Sequence, residues 1–166
     1  APRAARSTRT LGIKMWLLIS AVGCSLIGAV IPPAPNDLTH RSGACITSNR
    51  GYAHMCDYSI GILQNASGQP SIVYAGRLVG RDSSGQPTWH VVDTFPHPDL
   101  PANYFIAVST CRLDGRDDQT VIAAVRFEET QEWLDEALWA RRFDLDQERF
   151  LDVSTKGIDC LNEAWG

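Results

Sequence analysis

The sequence predicts an α+β fold that is mainly antiparallel β: a single twisted meander sheet of five to seven strands with one short helix, preceded by an N-terminal apolar signal or anchor helix. Three observations carry this. Apolar residues alternate over short segments separated by clusters of Gly, Pro, Asn, Asp and Ser, the signature of hairpin-linked strands. One acidic segment carries apolar residues at helical spacing. Residues 15–31 are seventeen uncharged, mostly apolar residues, preceded by Arg3, Arg6, Arg9 and Lys14 and followed by Pro32, Pro33 and Pro35.

That leader, residues 1–35, has the layout of an export signal or membrane anchor, because a basic flank stays in the cytoplasm while the apolar run partitions into the bilayer. As a helix it rises about 25 Å, short of a hydrocarbon core of about 30 Å, so cleavage is favoured over a retained anchor. A lipobox-like Ala21-Val22-Gly23-Cys24 offers lipidation at Cys24 as a third fate, although residues 25–31 stay apolar where a lipoprotein turns polar. If the leader is retained, residues 15–31 contact the membrane; in every case the rest is expected outside the cytoplasm, periplasmic or secreted.

Residues 36–44 are polar and rich in turn formers and read as a linker, leaving 45–166 as one extracytoplasmic domain of a size that supports a single core. The whole chain has a formal charge of −4, and loss of the four basic leader residues takes the exported part to −8. A nucleic-acid partner is not expected, since phosphate binding needs a basic face.

Four cysteines follow the leader: Cys45, Cys56, Cys111 and Cys160. An even number in an exported chain reads as two disulfides, and of three connectivities Cys45 with Cys56 and Cys111 with Cys160 is the expected one. The first pair closes a short loop at the start of the domain. The second ties the C-terminal end to a central strand. A zinc site using His54 and Cys56 lacks a C-x-x-C pair, and export favours oxidation.

Along the domain, residues 56–64 alternate around Tyr58, Ile60 and Ile62, and 65–70 form a turn. Residues 71–81 and 88–95 are expected as an antiparallel hairpin about the strong turn Asp82-Ser83-Ser84-Gly85-Gln86-Pro87. Residues 104–113 and 120–127 are nearly continuous apolar runs, the mark of central strands covered on both faces. Trp133, Leu134, Ala137, Leu138 and Arg141 recur at helical spacing behind a cluster of acids, so a short helix is placed near 129–136. A hairpin over 138–153, turning at Gln147, completes the domain.

Motifs that carry chemistry are missing. The sequence holds no G-x-S-x-G elbow, P-loop, G-x-G-x-x-G or H-E-x-x-H, and disulfide pairing leaves no free cysteine beyond the leader. Ser109 with His90 or His97 and Asp93 could form a triad only if the fold assembled it. Asp114-Gly115-Arg116-Asp117-Asp118 fails the calcium-loop template, because Arg116 occupies a ligand position and Val125 stands where the bidentate Glu belongs. His54, His90 and His97 lack ligand spacing, so neither a metal nor another cofactor is expected.

The segment Phe95-Pro96-His97-Pro98-Asp99-Leu100-Pro101-Ala102-Asn103 stands out, with three prolines stiffening a connection that carries Phe95, His97 and Leu100. Prolines fix dihedral angles in advance, so such a loop loses little entropy on docking. Phe95, His97 and Leu100 are the candidate partner-binding residues, against a rigid crossover whose apolar side chains tuck into the core. The expected function is a non-enzymatic extracytoplasmic protein-binding module of inhibitor or immunity type. The alternatives are a small envelope hydrolase with a site assembled by the fold, and a membrane-anchored accessory subunit.

Overall fold

The computed structural model describes residues 38–48 and 56–165. The leader, Cys24 and His54 lie outside them. Among the described residues no helix is long and apolar enough to cross a membrane.

Among the described residues twelve strands form three antiparallel sheets of four. The first holds β1 (Thr39–Ile46), β2 (Tyr58–Gln64), β3 (Pro70–Arg81) and β4 (Pro87–Pro96) in chain order. Next along the chain come β5 (Tyr104–Val108), β6 (Cys111–Leu113), β7 (Arg116–Asp117) and β8 (Val121–Arg126). The last four are β9 (Trp133–Leu134), β10 (Ala137–Asp144), β11 (Arg149–Val153) and β12 (Ile158–Leu161). The second sheet has the order β11-β10-β8-β5 and the third β7-β6-β12-β9.

The second sheet lies between the other two, as its central strand β8 shows. Successive side chains of a strand point to opposite faces, so an unbroken buried run needs cover on both sides. Val121, Ala123 and Val125 face the third sheet, in a core with Ala107, Leu134, Ala140, Ile158 and the Cys111–Cys160 pair. Ile122 faces the first, packing with Ile46, Ile60, Ile62, Val73, Ala75 and Phe143. Ala124, also fully buried, shares the face of Ile122 by the same alternation.

The fold class expected from sequence is thus corrected. The described residues are all-β, in three sheets rather than one, and contain no helix. Two local features account for the difference. The run over 104–113 is not one strand: Ser109 adopts φ 61°, and the chain leaves the second sheet after Val108 and enters the third at Cys111. The segment expected as a helix becomes a turn followed by β9, whose Trp133 and Leu134 pair with Leu161 and Cys160. Asn162, 2 % exposed, donates its side-chain amide to the carbonyls of Glu128 (3.1 Å) and Gln131 (2.8 Å), and its backbone N–H bonds to Glu132 O at 2.8 Å. Those carbonyls are the acceptors a helix would need. Tertiary contacts override the helical spacing.

Residues 39–46, most of which read as linker, form an edge strand whose side chains are largely exposed. It is held by the ladder to β2, by Cys45–Cys56 and by Ile46, its one buried apolar side chain. The 138–153 hairpin forms as β10 and β11, from Asp144 paired with Arg149 to Ala140 paired with Val153. A bulge at Leu138, which is 50 % exposed, lets Ala137 pack towards the third sheet and Trp139 towards the first.

Turn chemistry fixes the hairpins. Asp114 (φ 52°) and Gly115 (φ 72°) join β6 to β7 with both central residues left-handed, as a type I′ turn requires. In the β3–β4 turn the Ser84 hydroxyl, followed by the Gln86 backbone amide, holds the Asp82 carboxyl below the usual aspartate range. In the β10–β11 turn the Gln147 backbone amide does most to lower Asp144. A depressed folded-state pKa contributes stability that is complete above the unfolded value and is lost as pH falls through the folded one. Acid titration followed by NMR is therefore expected to move the Gln86 and Gln147 amides with midpoints below that of an unstructured aspartate. Midpoints at or above it would contradict the capping role.

Candidate functional site

Two concavities flank the packing of the first sheet on the second. One is an apolar pocket of about 400 Å³ lined by Phe95, Pro96, Pro98, Trp139, Arg141 and Asp152. It lies where β4, the edge of the first sheet, approaches β11, the edge of the second. Asp93 joins these edges by accepting the Phe150 N–H at 2.7 Å.

The pocket wall is an aromatic cluster. Phe95 meets Trp139 edge to face at 6.0 Å between ring centroids and Phe150 at 5.0 Å. The Arg141 guanidinium lies 4.3 Å from the Phe95 ring centre, and its Nε donates to Asp152 at 2.7 Å. A guanidinium over an aromatic face is held by the ring quadrupole, and its carboxylate partner fixes its direction. The Trp139 indole N–H is buried with no hydrogen-bond partner among the described residues.

The proline-stiffened connection is anchored along its length. His97 N donates to Ser71 O at 2.9 Å, Tyr104 N to Pro101 O at 3.2 Å, and Phe127 N to Asn103 O at 2.7 Å. His97 and Leu100 are half-buried. Burial lowers the His97 pKa, with Arg41 adding to the effect, while Pro98 and Asp99 oppose it. Phe95 lines the pocket and also belongs to the core between the sheets. Sequence reasoning singled out Phe95, His97 and Leu100 but missed Trp139, Arg141 and Asp152, which come from the other sheet. Alternation along 139–143 puts Trp139, Arg141 and Phe143 on one face, the one signal that could have joined them.

The second concavity is a cleft of about 750 Å³ whose lining includes Ser48, Asp57, Tyr58, Arg77, Arg142 and Phe143. Its polar groups are largely paired. The Ser48 hydroxyl donates to Asp57, Tyr58 donates to Glu148 at 3.0 Å, and Arg77 lies 3.3 Å from Glu148. Arg142 reaches Asp118 at 3.1 Å and Thr120 Oγ1 at 3.2 Å.

The triad considered from sequence is not brought together. Ser109 Oγ is buried without a hydrogen-bond partner among the described residues, and the Asp93 carboxylate accepts from the backbone of Thr94 and Phe150. Asp114 lies in the β6–β7 turn, whereas Asp118 accepts from Thr120 and pairs with Arg142. Among the described residues no group of three or more His, Cys, Asp or Glu side chains is placed to hold a metal ion. Both cystines form between the expected partners, Cys45 with Cys56 and Cys111 with Cys160, and are compatible with an extracytoplasmic protein. Comparison with protein-family models, curated proteins and solved structures finds no match.

Proposed function

We propose that this chain is an extracytoplasmic binding protein that docks on another protein through the β4–β5 connection and the adjoining aromatic pocket. The observation that carries the reading is a pocket whose walls are set before any partner arrives: prolines at 96 and 98 on one side, and Trp139 with the Asp152-held Arg141 on the other. About 400 Å³ suits one or two apolar anchor side chains, and a fixed wall spares the entropy of ordering it. Arg141 and Asp152 supply a polar rim for orientation. The two cystines support the location outside the cytoplasm.

A photo-crosslinker at exposed Pro96, compared with one at exposed Val79, tests the contact face in an envelope extract. Crosslinks from 96 and not from 79 are expected, and the reverse would overturn the reading. With the crosslinked partner purified, replacing His97 and Leu100 together by Ala is expected to weaken binding by more than about tenfold, roughly 1.4 kcal/mol. A paired change at exposed Glu129 and Glu132 is expected mainly to alter association rate through the acidic field. Normal affinity in a folded loop variant would place the contact elsewhere.

A further inference from the structure

We propose that Cys45–Cys56 is a thiol-exchange site for a dithiol, and that its reduction loosens Ser48 and Asp57 at the wall of the cleft while Cys111–Cys160 stays closed. The two cystines differ first in access. Cys111 is 2 % and Cys160 0 % exposed, inside the core between the second and third sheets. Cys45 is exposed on an edge strand, and Cys56 is half-buried. Exchange requires an attacking thiolate to reach a sulfur, so access selects the first bond.

Position gives that bond a consequence. Ser48 and Asp57, hydrogen-bonded to each other and lining the cleft, lie three residues after Cys45 and one after Cys56. Cys56 itself has φ 61°, a left-handed conformation that L residues rarely adopt. In the reaction a dithiol thiolate attacks Cys45 Sγ, forming a mixed disulfide and expelling the Cys56 thiolate, which takes up a proton. The second thiol of the reagent then attacks its own sulfur in the mixed disulfide and releases Cys45. Two electrons pass to the protein cystine, and the dithiol leaves as a cyclic disulfide.

The test treats native protein with graded dithiothreitol, quenches by alkylation and maps the labelled peptides. Cys45 and Cys56 are expected to label at least about tenfold faster than Cys111 and Cys160, with far-UV circular dichroism unchanged. Simultaneous opening, prior opening of Cys111–Cys160, or a Cys45–Cys56 bond that persists until unfolding would each overturn the proposal. A C45A/C56A variant separates cleavage from its consequence. Its amides at Asp57, Tyr58 and Ser59 are expected to lose about tenfold in hydrogen-exchange protection, and unchanged protection would refute the coupling to the cleft.

Discussion

Replacing Phe143 by Ala is expected to destabilise the domain by about 3–5 kcal/mol, the range for truncating a buried Phe. Phe143 is 1 % exposed and is among the largest fully buried side chains. It packs against Tyr58 edge to face at 5.5 Å and against Phe150 at 5.4 Å, so its removal opens a void between the first and second sheets. The surrounding strands are fixed by ladders on both sides of β10 and can collapse only partly into the space. Urea unfolding of the variant measures the loss. Leu138→Ala, half-exposed at the bulge of the same strand, is expected to change stability by no more than about 0.5 kcal/mol. Equal midpoints for the two variants would show that Phe143 is not part of the inter-sheet core.

The elements legible in the sequence are those specified by local chemistry. β2, β3, β4 and the β10–β11 hairpin each combine a strand pattern with turn residues whose side chains cap the backbone, as Asn65, Asp82 and Asp144 do. The two-sided burial of β8 was also readable, because Val121 to Val125 leaves no polar face. What covers it was not. The switch between sheets depends on a left-handed Ser109, a residue type that does not announce such a conformation, and β9 depends on pairing with β12 from the far end of the domain. β1 escaped notice because an exposed edge strand carries little apolar pattern.

The candidate pocket divides in the same way. Its proline wall is written in consecutive residues, whereas Trp139, Arg141 and Asp152 reach it only through the approach of β4 to β11. Asp93 secures that approach by a bond to Phe150, fifty-seven residues away, which no local pattern encodes. The rigid-crossover and binding readings of the loop also converge at Phe95. Its ring belongs to the inter-sheet core and to the pocket wall, so a change there alters packing and any contact together.

Removing the inner cystine as C111A/C160A is expected to cost about 4 kcal/mol, since its 49-residue separation constrains the unfolded chain more than the 11 residues of Cys45–Cys56, worth about 3 kcal/mol by the same reasoning. Alanine avoids placing a hydroxyl in the apolar core around Leu134 and Ile158. Cys111 and Cys160 are register partners of β6 and β12, strands of three and four residues, so the cross-link holds together a ladder too short to be stable alone. Urea titrations of C111A/C160A and C45A/C56A under oxidising conditions compare the two. The inner variant is expected to unfold at the lower concentration and to lose amide protection throughout β6, β9 and β12. If it remains within about 1 kcal/mol of the unmodified protein, the third sheet is held by packing on β8 and not by its cystine.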